Sequence, residues 1–339
     1  MAERRPKAPT IVDVAAAAGV SKSAVSRALL GQGEVSVATR ERVETAAKEL
    51  GYVANAMARG LVTARTSTIG VILRDVTRPY YAWLINGMQQ EAERQGFRMV
   101  TMTSAGELEV EDAVHALETL VSMRVDGIVL ASARLPSSEL RPYVGRVPIV
   151  VAGRREVEPG VTSVYGDDAA GGRVLADRLA DLGHRTIAVL LVDQTYSLSQ
   201  HTRGVAMIAQ ARERGLDVRV WPVDDDRHVR DVLAHQDDAA EVTAIMCPTD
   251  DAAVDALDHL REAGRTAPAD CSITGFDGIG VYSSPFLGLT TFRQPVSEIG
   301  HTAMALLTAR ITGDAAGDQA LELHGSLVTG RTAGPPPQR

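Results

Sequence analysis

Cysteine, lysine and aromatic side chains are scarce in this 339-residue chain, and long apolar runs are missing. Its two cysteines, Cys247 and Cys271, each fall inside a short apolar run, so they offer neither a metal-ligand spacing nor a disulfide framework and read as core residues. No apolar run approaches the ~18 residues that span a bilayer, and MAERRPKAPT lacks the apolar centre of a signal peptide. No membrane association is expected, a secreted receptor is disfavoured, and the chain is placed in the cytoplasm. G-x-x-x-x-G-K-[ST], a G-x-G-x-x-G leading from strand to helix, and H-E-x-x-H do not occur, and none of the eight histidines shows ligand spacing. Two-lobed kinases and dehydrogenases thus lose their signatures, and no enzyme activity, cofactor or metal is expected. Aromatics make up 4% of the chain against 45% hydrophobic residues, which suits helical or α/β domains, and the length suggests two or three of them.

What is present is unevenly distributed. All three lysines, Lys7, Lys22 and Lys48, lie before residue 50. Residues 1 to 66 hold ten basic and six acidic side chains, a head of +4, while the whole chain is −8 and the remainder therefore −12. A basic head on an acidic body is the footprint of a polyanion partner confined to the head.

Residues 10 to 61 supply the structure such a partner needs. At 100° per residue, Ile11, Val14, Ala15 and Ala18 share one face of a short helix that Gly19 and Val20 end. Ser21 is placed to cap a second helix, with Val25, Ala28 and Leu29 on one arc and Lys22, Ser23, Ser26 and Arg27 on the other. Small hydroxyls let a helix lie close to the floor of a DNA groove, and the two cations reach a guanine edge or a phosphate. Ser36 caps a third helix that buries Val43, Ala46, Ala47 and Leu50, closing a small helix-turn-helix domain over residues 1–54. Residues 55–66 follow as a hinge. NAMARGLV is too short for a stable isolated helix, so it is expected to order only when DNA and a second hinge bury it. Leu61 flanked by Arg59 has the form of a minor-groove wedge.

The runs D-V-A-A-A-A-G-V-S-K-S-A-V-S-R, V-S-V-A-T-R-E-R-V and L-G-Y-V-A-N-A-M-A-R-G-L resemble the N-terminal signature of the LacI/GalR family of bacterial transcription regulators. The resemblance continues more sparsely to about residue 333. It implies that Lys22 and Ser23 carry most of the operator discrimination, that Arg27 contacts bases, that Asn55 starts the hinge helix and that Leu61 is the wedge. Thr10, Ser21, Ser26 and Arg59 complete the expected DNA-binding set.

From Thr66 onward short apolar strands alternate with amphipathic helices. TIGVIL, RMVTM, DGIVLA and PIVVA come first, and TSVYG, TIAVLLV, DVRVW, TAIMC and CSITGF repeat the pattern. Two doubly wound α/β lobes are expected, and the resemblance implies the periplasmic-binding-protein architecture with an effector held between them. The N-terminal lobe is expected over about 67–163 and 294–322, the C-terminal lobe over about 164–293 and 323–333, and a disordered tail over 334–339. Ligands of open α/β sheets sit beyond the carboxyl ends of strands. Asp75, Arg78, Tyr80 and Tyr81 follow the first strand, Arg154 follows PIVVA, Asp167 follows VYG, Thr249 follows IMCP and Asp277 follows TGF. Trp83 is expected to pack, and Asp224 to Asp226 to form a solvated loop.

The chain also departs from the family pattern. Ser199 stands where an arginine is usual, Thr249 where an asparagine is usual, and Gly153 where an aspartate is usual. Asp277 therefore lacks its customary partner, while Arg78 and Arg154 bring positive charge toward the cleft, which admits anionic sugar derivatives beside ordinary sugars as effectors. The whole describes a dimeric, operator-binding regulator, expected to be a repressor acting on a pseudo-palindromic site, with a small molecule as its switch. The C-terminal residues lack leucine heptads, so dimers and not tetramers are expected.

Overall fold

The computed structural model describes residues 9–30, 35–52, 65–104, 108–132, 134–226, 228–236, 241–314 and 317–338. It comprises two compact units, Met1–Thr66 and Ser67–Arg339. Residues 55–64 of the expected hinge, with Asn55, Arg59 and Leu61, lie outside the described residues.

In the first unit, α1 (Ile11–Ala18) opens with a capping box: Asp13 N donates to Thr10 Oγ1, and Thr10 N donates to Asp13 Oδ2 at 2.7 Å. Gly19, at φ 65°, takes the left-handed conformation that ends it. Ser21 Oγ accepts from Ala24 N at 3.2 Å and caps α2 (Lys22–Leu30), and Ser36 caps α3 (Val37–Glu49). Val14, Ala15, Ala18, Val25, Ala28, Val43, Ala46 and Ala47 form one core. Leu50, expected inside it, is 39% exposed, because it follows the last turn of α3 and Tyr52 packs there instead.

In the second unit the chain runs through β1 (Thr68–Leu73), α4 (Pro79–Arg94), β2 (Arg98–Met102), α5 (Val110–Ser122), β3 (Gly127–Ala131), β4 (Ile149–Ala152) and β5 (Thr162–Gly166). It then crosses to α6 (Asp168–Asp181), β6 (Thr186–Val192), α7 (Leu198–Glu213), β7 (Asp217–Val223), α8 (Val229–Ala234), β8 (Ala244–Met246), α9 (Asp250–Glu262), β9 (Ser272–Asp277) and β10 (Thr290–Arg293). It returns for α10 (Val296–Thr312) and β11 (Ala320–Leu323), and crosses again for β12 (Ser326–Val328).

Two six-stranded sheets result. The first, ordered β11-β5-β4-β3-β1-β2, is parallel throughout. The second, ordered β12-β10-β9-β8-β6-β7, is parallel apart from its antiparallel edge strand β12. Strands such as GIVLA (β3) and AIM (β8) are buried at every position, as helices on both faces require. Cys247 and Cys271 are both free and buried in the second lobe, as expected.

Two boundaries differ from expectation. The division at 163/164 would cut β5, which lies whole in the first sheet between β4 and β11. A parallel strand beside a crossing reads the same in sequence whichever sheet it joins. Nor is the segment from 334 a free tail: Gly334 N donates to Ser272 Oγ at 3.0 Å, and its carbonyl lies 3.0 Å from His184 Nε2.

Helices α4 and α10 touch backbone to backbone. A Cβ at Gly87 would collide with the Ser297 carbonyl, and one at Gly300 with the Leu84 carbonyl. This contact fixes the last helix of the chain onto the first lobe.

Candidate functional site

On α2, Lys22, Ser23 and Arg27 are exposed and Ser26 is half-buried, while Val25 and Ala28 face the core. Arg27 Nε donates back to the Ser23 carbonyl at 3.4 Å. The Thr10 and Ser21 hydroxyls are exposed but occupied as caps, so each has a local structural role as well.

In the second unit the carboxyl ends of the strands face each other across a cleft lined from both lobes, with a cavity of about 70 Å³. Of the nine expected effector residues, Asp75, Arg78, Tyr80, Tyr81, Ser199, Thr249 and Asp277 line it. Arg78, just before α4, crosses the cleft: Nη1 and Nη2 donate to Asp226 at 3.0 and 2.7 Å, and Nη1 also reaches Asp251 at 3.3 Å. Burial works against its charge, yet the surrounding carboxylates, Asp226 foremost, hold its pKa above the usual value. Asp226 also accepts from Tyr196 Oη at 2.8 Å and Gln200 Nε2 at 3.0 Å, and it is 2% exposed. The expectation of a solvated loop is therefore wrong for Asp226, whose partner lies 148 residues earlier in sequence. The Arg74 guanidinium stacks over the Tyr196 ring at 4.0 Å, a second contact between lobes.

Asp277 ends β9 with φ 118°, a conformation rare outside glycine and held here by the Gln294 N bond to its carbonyl. Its Oδ1 accepts from Gln294 Nε2 at 2.7 Å and from Arg203 Nη1 at 3.4 Å. Arg203, on α7, lies over the Phe276 ring at 3.8 Å, pairs with Asp168 at 2.8 Å and donates to the Pro248 carbonyl at 2.7 Å. These two side chains are the donors that Asp277 lacked on sequence grounds. Arg203 stands one helical turn after Ser199, and helical side chains lean toward the N-terminus, so the i, i+4 relation was the available signal. Burial raises Asp277 to about 7 and Asp168 to about 6 against the pull of Arg203. Neighbouring Asp250, the buried first residue of α9, accepts from Gly278 N and Thr291 Oγ1, each at 2.7 Å. Desolvation, then the Asp277 charge, push it to about 8.

Thr249 caps α9, with Ala252 N donating to its Oγ1 at 3.2 Å. Tyr80 and Tyr81 meet edge to face at 5.3 Å. Gly153 has φ 94°, and a Cβ there would strike the Tyr80 hydroxyl, so the aspartate usual at this position does not fit this cleft. Ser199 Oγ donates to the Gly153 carbonyl at 2.9 Å, joining the lobes. Two polar atoms of the cleft, Ser132 Oγ and Gln200 Oε1, are buried without a hydrogen-bond partner.

Arg154 and Asp167 do not line this cavity. Arg154 is buried against Glu156 at 2.8 Å and donates to the carbonyls of Ser132 and Leu135, so it is neither a cleft cation nor an exposed rim residue. Asp167 caps α6, accepting from Ala170 N at 2.7 Å. Both border an adjoining groove of about 350 Å³ that shares Ser199 with the cleft. Trp83, expected to pack, is 45% exposed, with its indole N close to Gly280 of the other lobe.

Among the described residues no group of side chains is placed to hold a metal, and no helix is long and apolar enough to cross a membrane.

Comparison with known proteins gives this architecture a class. The model of the bacterial regulatory proteins, lacI family, matches residues 10–55, and that of the periplasmic binding protein-like domain matches residues 176–333. The chain is 33% identical over 325 residues to the HTH-type transcriptional regulator CelR of Thermobifida fusca, covering 92% of this chain and 94% of that one. It is 30% identical over 322 residues to the HTH-type transcriptional repressor CytR of Escherichia coli K12, covering 93% and 94%. The solved structure of a transcriptional regulator CelR–cellobiose complex superposes with a TM-score of 0.69 at 29% identity, over 96% of this chain and 99% of that one. A helix-turn-helix head with a two-lobed binding body defines a DNA-binding transcription regulator. The chain belongs to the lacI family of bacterial regulatory proteins.

Proposed function

We propose that this protein is a homodimeric repressor with no enzyme activity, which binds a pseudo-palindromic operator through α2 and releases or tightens on it when a sugar occupies the cleft. The observation that carries the sugar assignment is the pair of unpartnered buried acceptors, Ser132 Oγ and Gln200 Oε1, beside Asp277, Tyr80 and Tyr81. A buried acceptor without a donor costs about 1–3 kcal/mol, and ligand hydroxyls supply donors to both. The CelR–cellobiose complex supports the same class.

Charge favours a neutral ligand over an anionic one. Arg78 is engaged with Asp226 and Asp251, Arg203 with Asp168 and Asp277, and Arg154 with Glu156. Arg74, the other described arginine of the cleft lining, stacks over the Tyr196 ring, so an anion would meet Asp75, Asp226, Asp251 and Asp277 beside cations that are already engaged. The cavity of about 70 Å³ lies below the roughly 300 Å³ at which small-molecule sites begin, so entry requires the lobes to part. Differential affinity for the parted and closed states is what lets a ligand shift operator binding.

The test is a thermal-shift screen of neutral sugars, sugar acids and nucleosides against the full chain, followed by gel shifts on a candidate operator with each ligand found. A neutral sugar that raises the midpoint and changes operator affinity is the expected result. Stabilisation by acids or nucleosides alone overturns the sugar assignment.

A further inference from the structure

One side chain of the second lobe is seated against the first. Tyr196 stands in the loop between β6 and α7, yet it is 8% exposed and its ring lies against two arginines that follow strands of the first lobe. The Arg74 guanidinium, just after β1, lies over the ring at 4.0 Å, and that of Arg134, after β3, lies 5.7 Å from the same centroid. Both distances fall within the ~6 Å at which an aromatic face attracts a cation. Arg134 is itself held by Glu109, to which its Nη1 donates at 2.7 Å. The Tyr196 hydroxyl donates to Asp226 Oδ1 at 2.8 Å, and the same oxygen accepts from Arg78 Nη2 at 2.7 Å. Tyr196 is thus joined to Arg74, to Arg134 and, by way of Asp226, to Arg78.

The loop that presents this ring is ordered from within the second lobe. Asp193 Oδ1 accepts from Thr195 N at 2.7 Å and from Thr195 Oγ1 at 2.5 Å, and the Asp193 carbonyl accepts from the Tyr196 and Ser197 amides, each at 3.2 Å. These bonds do not depend on the first lobe, so the turn survives when the lobes part, and little conformational freedom is lost when they meet again.

We propose that Tyr196 is a latch, and that the protein's own contacts through it hold the two lobes closed and set how often the cleft opens. With the latch seated, the cavity of about 70 Å³ is below the roughly 300 Å³ of small-molecule sites, so latch and effector exclude one another. Binding then parts the lobes instead of drawing them together, and apparent affinity scales with the open fraction. That consequence rests on the cleft being the effector site; the latch itself does not.

A thiol on the cleft wall reads the opening with no ligand present. Ser132 lines the cleft, is 2% exposed, and its Oγ has no hydrogen-bond partner, so Ser132→Cys breaks no bond. Cys247 and Cys271, buried in the core of the second lobe, report unfolding in the same molecule. Where opening and closing are fast, the rate of iodoacetamide labelling follows the open population. In full-length Ser132→Cys protein the introduced thiol is expected to react at least about tenfold more slowly than a free cysteine peptide. Adding Tyr196→Ala is expected to raise that rate at least about tenfold, and adding Tyr196→Phe, which keeps the ring and loses the hydroxyl, about threefold, with Cys247 and Cys271 unlabelled throughout. An introduced thiol that reacts like the free peptide, or rates of both variants within about twofold of Ser132→Cys alone, overturns the latch. Should Tyr196→Ala also expose the native cysteines, Tyr196→Phe decides: a rise confined to position 132 supports the latch, and no rise overturns it. Because no ligand enters the experiment, its failure leaves the effector reading of the cleft intact.

Discussion

The Arg78 guanidinium and the Asp226 carboxylate, 148 residues apart, meet fork to fork across the cleft at 3.0 and 2.7 Å. This pair ties one lobe to the other and closes the space between them. Removing one member strands a buried charge, which costs about 3–5 kcal/mol, whereas replacing both with apolar side chains of similar size is often neutral. Asp226→Ala is therefore expected to destabilise the protein by about 3–5 kcal/mol, and the double variant Arg78→Met/Asp226→Met to recover most of that loss. Urea unfolding of the three proteins measures both. A single variant within about 1 kcal/mol of the parent removes the pair from any structural role.

Three buried carboxylates set a pH dependence. Asp250, Asp277 and Asp168 are raised to about 8, 7 and 6, in each case mainly by burial. Their folded pKa values exceed the unfolded value of 3.8, so between these limits the folded state binds more protons and stability falls as pH rises. The midpoint is expected to drop as pH rises from about 3.8 to about 8, the window bounded by those values. Asp250→Asn keeps an acceptor for Gly278 N and turns its amide toward Thr291 Oγ1, so it is expected to flatten the slope without loss at pH 8. Parallel profiles for parent and variant in scanning calorimetry would exclude Asp250 as a source.

Gly300→Ala tests the backbone contact between α4 and α10. The added methyl meets the Leu84 carbonyl, which cannot move without shifting the helix. A loss of about 3 kcal/mol or more is expected, at the upper end for overpacking, and the same holds for Gly87→Ala against the Ser297 carbonyl. Denaturant midpoints unchanged within error would mean that the helices slide apart at little cost.

In the head, Lys22 and Arg27 are exposed on one face of α2. If each neutralises a phosphate, replacing it with alanine lowers the slope of log affinity against log salt by about 0.9. Operator titrations between 50 and 200 mM salt separate that outcome from a uniform loss with the parent slope, which would indicate a contact to a base edge or none to DNA.

The α/β repeat was legible because strands buried on both faces must be apolar at every position. The strand-end rule brought six of its eight candidates to the cleft, and the family pattern supplied Ser199 as a seventh. What escaped was pairing at a distance. Asp226 ends a run of three aspartates, a pattern that usually belongs to water, and nothing local to it indicates Arg78. Arg154 failed for a nearer reason: Glu156, two residues on, draws its guanidinium away from the cleft. Arg203 was within reach, since a serine at one position and an arginine one turn later on the same face can exchange roles.

The return of the chain to its first lobe has a consequence for synthesis. The head closes within its first ~50 residues, but the sheet that opens at residue 68 gains its edge only when Ala320–Leu323 pair with β5, and Leu84 and Met88 are covered only when α10 arrives. Ribosome-bound chains stalled near residue 250 are expected to show a protease-resistant head beside a cleavable first lobe. During translation the head is thus folded before the body is complete, and for that interval the nascent chain carries an uncovered apolar helix face of the kind that chaperones bind.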